Sequence, residues 1–132
     1  MIFIDASALI SIVAREPDAL ELAAKLDADQ ARLCSAMSLW ETVTGLCRSY
    51  MFSVESAQNR VQTVRQRLGL QLVPIGEPEH DLALQAYARF GKGRHPAALN
   101  MGDCFAYACA KAHRAALLFK GNDFTKTDIR PA

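Results

Sequence analysis

The spacing of apolar residues changes along this chain, and the changes mark its elements. Ile2-Phe3-Ile4 is a short β-favouring run, after which Ala8, Leu9, Ile12 and Val13 recur at helical spacing between Ser7 and Ala14. The pattern predicts a strand, a joint at Asp5 and a helix. Pro17 breaks that helix and stands where another can begin, with Leu20, Ala23, Ala24 and Leu26 forming an apolar face to about Asp29. Arg32-Leu33-Cys34 reads as a second strand. An amphipathic helix is expected from Ser38, with Leu39, Val43, Leu46, Cys47 and Tyr50 along one side. Val54, Ala57, Val61, Val64 and Leu68 mark the next helix, which Gly69 is placed to terminate, so the two should form a helical hairpin.

Leu70 to Ile75 alternates as a strand that stops in the stretch from Pro74 to Pro78. Glu79 to Arg89 then looks helical, and Gly91 to Pro96 reads as a flexible loop expected beside the functional site. From Asp103 to Ala112 the chain is apolar on nearly every side, the mark of a helix covered all round. Leu117-Leu118-Phe119 reads as a buried strand, Gly121-Asn122-Asp123 as a turn, and Asp128-Ile129-Arg130 as a last edge strand. Strands alternating with helices imply a three-layer α/β/α fold around a central, mainly parallel sheet, formed by one domain over residues 1–132. Ligands of such sheets bind at the carboxyl ends of the strands, where Asp5 and Asp123 both fall.

Composition narrows the class. Apolar residues make up 51% of the chain, yet Asp5, Ser7 and Ser11 break its longest apolar stretches, so no membrane span is expected. With no export signal evident at the N-terminus, a soluble, cytoplasmic protein is expected. Cys34, Cys47, Cys104 and Cys109 lack CxxC spacing and sit among apolar residues, as reduced core thiols do. The net charge of +1 does not announce a nucleic-acid binder by itself, although Arg89–His95 and Lys111–Lys120 lean basic. Lys92, Arg94 and Lys120 are the candidates for phosphate contacts. His80, His95 and His113 are too scattered to suggest a shared role. Trp40 suits core or interface packing better than stacking on a base.

Four acids carry the candidate chemistry, and each also has a structural reading. Asp5 can cap the helix that follows it, and Glu41 completes Ser38-Leu39-Trp40-Glu41, the pattern of a capping box. Asp103 falls in a first helical turn, with Asn100 a competent cap before it, and Asp123 follows a Gly-Asn turn. Capping does not predict that all four should face one place, whereas a shared site does. Gathered carboxylates repel one another unless cations neutralise them, and oxygen ligands without His or Cys select Mg²⁺ or Mn²⁺. Such a site suits phosphodiester hydrolysis, in which a metal acidifies water and stabilises the leaving oxygen. Ser7, Asn122 and Thr125 are the candidates for orienting the carboxylates or waters around the metal.

Asp5-Ala-Ser-Ala-Leu, Glu41, Asn100-Met-Gly-Asp103-Cys-Phe-Ala-Tyr-Ala and Gly121-Asn122-Asp123-Phe124 resemble, in this order, the motifs of PIN-domain nucleases. The resemblance extends over essentially the whole chain and is greatest to the VapC-type toxins of bacterial toxin–antitoxin pairs. It implies a Mg²⁺-dependent endoribonuclease with Asp5, Glu41, Asp103 and Asp123 as catalytic acids. Metal binding would fall to Asp5, Asp103 and Asp123, with Ser7, Asn122 and Thr125 in support. It also implies an RNA substrate, a cognate VapB-type antitoxin and a homodimer. The alternative from another class is a catalytically silent PIN-fold module that binds RNA or protein. Phosphotransfer domains fit poorly, because haloacid-dehalogenase-type enzymes place a second Asp where this chain has Ser7.

Overall fold

The computed structural model describes residues 1–132. Its sheet has four parallel strands: β1 (Ile2–Ile4), β2 (Arg32–Ser35), β3 (Gln71–Val73) and β4 (Ala116–Leu118), ordered β3-β2-β1-β4. Between them run α1 (Ala6–Ala14), α2 (Ala19–Asp27), α3 (Ala36–Tyr50), α4 (Val54–Leu68), α5 (Glu77–Phe90) and α6 (Met101–Ala112). Parallel pairing requires every strand to return by a crossover, and the helices supply these.

Strand side chains alternate between two cores. Phe3, Leu33, Val73 and Leu117 pack with residues of α5 and α6 on one face of the sheet. Ile2, Ile4, Cys34 and Leu118 pack with α1, α2, α3 and α4 on the other. The three-layer α/β/α arrangement is therefore as the sequence implies. The cysteines are free thiols, with Cys34, Cys104 and Cys109 buried. No helix is long and apolar enough to cross a membrane.

Two local expectations are corrected. Helix α3 starts at Ala36, and its capping box joins Ser35 to Ser38 instead of Ser38 to Glu41. β2 runs into α3 without a loop, so Ser35 must end the strand and cap the helix at once, which frees Glu41 from any capping duty. Segment 128–130 forms no strand: the Leu117 N–H donates to Arg130 O at 2.9 Å, and an isolated bridge joins Leu117 to Pro131 just beyond it. Asp128 is instead drawn to α6, accepting a 2.7 Å bond from the Tyr107 hydroxyl and pairing with Lys111 at 3.2 Å. Helix α6 begins at Met101, with Asn100 as its cap and Asp103 in its first turn, as expected.

Candidate active site

The carboxyl edge of the sheet collects the acids because three elements start or end there. β1 ends at Ile4, and the Asp5 N–H donates to Leu118 O of β4 at 2.9 Å, which ties Asp5 to the end of the neighbouring strand. Asp5 then caps α1 by accepting from the Ser7 N–H at 3.0 Å. Ser7 Oγ also donates to Asp5 Oδ2 at 2.5 Å while accepting from the Lys120 N–H at 3.0 Å. One hydroxyl thus links the loops that leave β1 and β4.

Asp103 occupies the third position of α6, in a reciprocal box with Asn100. Its N–H donates to Asn100 Oδ1 at 2.9 Å, and its Oδ2 accepts from the Asn100 N–H at 3.1 Å. Both Asp5 and Asp103 therefore do cap helices, as their structural readings suggested. Capping is also how the fold fixes them, since each bond holds a carboxylate to rigid backbone.

Glu41 lies in the second turn of α3 and makes no capping bond. Its carboxyl group lies over Gly102 of α6: a β-carbon at residue 102 would fall 1.9 Å from Oε2, 2.4 Å from Oε1 and 2.3 Å from Cδ. Glycine is what lets the Glu41 carboxyl lie against the backbone of α6, a requirement that sequence reasoning missed. Its one visible signal was a glycine in a first helical turn, next to an acid.

Burial pushes the Glu41 carboxyl up to about 7, and the negative charges of Asp5 and Asp103 add to the effect. Burial likewise raises Asp103 to about 6, with the Asn100 N–H opposing and Asp5 and Asp123 reinforcing. Asp5 is 5% exposed, and burial raises its carboxyl despite the bonds from Ser7, with Asp123 contributing repulsion. The four acids thus act on one another across the site. None of the ion pairs in the protein engages any of them.

Asp123 opens a short 3₁₀ turn and is exposed. The Thr125 hydroxyl donates to the backbone oxygen of Asn122 at 2.6 Å, a bond that shapes the turn carrying Asp123. Lys120, a candidate for phosphate contact, has its ammonium 2.8 Å from Glu16 and 3.1 Å from Asp18. No three acidic, His or Cys side chains form a closed ligand set as they stand. The donors nevertheless fit a hard divalent cation in chemistry: they are carboxylate oxygens, partly buried, mutually repelling and without a cationic side chain paired to them.

The PIN domain family model matches residues 2–130. The chain belongs to the PIN-domain family. Ribonuclease VapC30 of Mycobacterium tuberculosis is 42% identical to this PIN domain over 126 residues, covering 96% of this chain and 94% of that one. A VapC ribonuclease of Rhizobium meliloti is 38% identical over 141 residues, covering 98% and 99%. Among solved structures, the sarcin-ricin-loop-cleaving toxin VapC20 of M. tuberculosis superposes with a TM-score of 0.76 at 16% identity, over 100% of this chain and 98% of that one. VapBC2 of Rickettsia felis, bound to a promoter DNA fragment, gives 0.72 at 16% identity, over 96% and 92%. These structural likenesses establish the same fold for this PIN domain.

Proposed function

We propose that this PIN domain is the toxin of a type II toxin–antitoxin pair, an endoribonuclease that hydrolyses RNA phosphodiester bonds with Mg²⁺ as cofactor and Mn²⁺ as a substitute. The observation that carries the reading is the set of mutually repelling acids at the sheet edge, with Glu41 raised to about 7 and no cationic side chain paired to them. Near-full-length similarity to VapC ribonucleases supports the substrate class.

Asp5, Asp103 and Asp123 would hold the cation, which when bound supplies charge neutralisation and Lewis acidity beside the scissile phosphate. Asp5 and Asp103 are held by backbone, so their carboxylates need little reorganisation. Glu41 is assigned the proton transfer because its carboxyl lies against Gly102, next to Asp103, and no capping bond or ion pair occupies it. Ser7 keeps Asp5 oriented through its 2.5 Å bond. Asn122 and Thr125 support the site by shaping the turn that carries Asp123.

The natural partner in this reading is a VapB-type antitoxin, as in the toxin–antitoxin complexes that share the fold. Leu20 and Met51 are 87% and 89% exposed and offer it apolar surface. A homodimer fits the exposed Leu84 and Tyr87 of α5, which border an apolar cavity of 340 Å³ with Phe105. A cytoplasmic location accompanies an RNA substrate.

The test is cleavage of total cellular RNA by protein freed of antitoxin, comparing wild type with Asp103→Asn in Mg²⁺, Mn²⁺ and EDTA. Discrete fragments from wild type with metal alone are expected. A folded protein that binds RNA but cuts under no condition would overturn the reading in favour of a silent binding module.

A further inference from the structure

Two large apolar side chains flank the acid cluster in the open. Trp40 is 65% exposed and precedes Glu41 on α3, while Met101 is 67% exposed and opens α6 two residues before Asp103. Together with Met37 and Glu41 itself they line a 240 Å³ cavity. That volume falls below the range of about 300–1,000 Å³ typical of sites for drug-sized ligands, so the cavity suits one flat ring system rather than a larger group.

Of the two packing roles expected for Trp40, core and interface, the core does not hold at this exposure. Trp and Met at the surface expose area that water disfavours, and here both line one cavity. The cavity also shares a wall with the chemistry, because one of its lining residues is Glu41. Electrostatics adds a reason for a stacking contact here. An acid-lined site repels a polyanion, and the ammonium of Lys120 is taken by Glu16 and Asp18. With Lys120 withdrawn, a stacking contact supplies affinity beside the cluster that this lysine does not. Single-stranded RNA offers its unstacked bases, whose faces stack on aromatic side chains whatever the sequence.

We propose that Trp40 and Met101 form a stacking subsite for an unpaired nucleobase of the RNA next to the scissile phosphate. The inference rests on the ribonuclease reading. Trp40 is the specificity-determining residue, with Met101 closing the opposite wall; substrates whose base can leave its stack at this position are cut, and those held in duplex are not.

The chain holds one tryptophan, so emission excited at wavelengths that tyrosine does not absorb reports on this subsite alone. Titrating the wild-type protein in EDTA with a short random-sequence oligoribonucleotide should quench the emission saturably. An abasic ribose-phosphate strand of the same length should not. In anisotropy measurements with labelled RNA, Trp40→Ala should weaken binding about ten-fold or more and Trp40→Phe should restore most of it. Cleavage with Mg²⁺ should show the Trp40→Ala loss in KM more than in kcat, with thermal stability unchanged. RNA that binds by anisotropy without quenching, or with equal affinity for Trp40→Ala, overturns the subsite and leaves the ribonuclease reading standing. Emission that follows protein concentration instead of RNA assigns the patch to contact between copies and also overturns it. Absence of both RNA binding and metal-dependent cleavage removes the subsite and the ribonuclease reading together.

Discussion

Glu41 occupies the space that a side chain on Gly102 would fill, so the placement of its carboxyl against α6 depends on residue 102 having no β-carbon. The obstructing atoms belong to the end of a flexible side chain, and Gly102 does not adopt positive φ. Gly102→Ala should therefore fold, gaining up to about 1 kcal/mol from helix propensity while turning the Glu41 carboxyl aside. The expected result is unchanged or higher stability with cleavage reduced about as far as in Glu41→Gln. Paired denaturation and cleavage assays check this; full activity in Gly102→Ala would remove Glu41 from the mechanism.

Stability without metal should depend on pH in an unusual direction. Glu41 and Asp103 keep their protons in the folded state to about pH 7 and about pH 6, whereas their ordinary values are 4.5 and 3.8. Between these limits the folded state binds more protons than the unfolded one. The stability that these groups contribute is therefore complete below about pH 4 and lost as pH rises through the folded values. Both carboxyls are partly solvated, so after allowance for screening the loss is on the order of 1–2 kcal/mol. Urea denaturation in EDTA from pH 4 to 8 measures it. A stability that climbs over this range would contradict the repulsive cluster.

Much of the architecture was legible because particular residues left no choice. Val54 to Leu68 carries an unbroken apolar stripe closed by Gly69, which adopts φ +61° as the terminating residue. Ile2–Ile4 and α6, apolar on nearly every side, announced the centre of the fold in the same way. The start of α3 was less determined, since Ser35 and Ser38 are both competent caps; the choice falls on Ser35 because β2 ends there, which is tertiary information. Likewise nothing local tells that Asp128 is held by Tyr107 and Lys111 rather than in a strand. In the site, the acids could be named from motif order, but the Gly102 contact and the ion pairs of Lys120 join residues far apart in sequence.

A divalent cation should act as a structural ligand as well as a cofactor. At neutral pH, Mg²⁺ or Mn²⁺ at about a hundred times its Kd is expected to stabilise the wild type by about 2.7 kcal/mol, and EDTA to reverse it. Asp103→Asn keeps an acceptor for the Asn100 N–H but removes a charge. It should melt higher than wild type in EDTA, gain nothing from metal and cut no RNA. Differential scanning calorimetry with and without metal separates the two effects. A metal-induced gain equal to that of wild type would exclude Asp103 as a ligand.

Ser7 should matter more than its size suggests. Ser7→Ala removes the bond to Asp5 and leaves the Lys120 N–H without its acceptor, at an expected cost of about 1–2 kcal/mol. Cleavage should fall with it, and Ser7→Thr, which keeps the hydroxyl, should restore both. Loss of activity in Ser7→Thr equal to that in Ser7→Ala would show that the hydroxyl bridge is not what counts.

That bridge spans 113 positions of sequence. A ribosome making this chain releases Asp5 early and Asp123 late, and β1 has no β4 beside it until the segment at 116–118 has been translated. Through most of elongation the nascent polypeptide thus carries an incomplete set of acids. An enzyme directed at RNA is assembled on a machine and a message made of RNA, and the order of its chain keeps it inert there. Truncated products that stop before residue 120 should likewise be harmless to the transcript that encoded them.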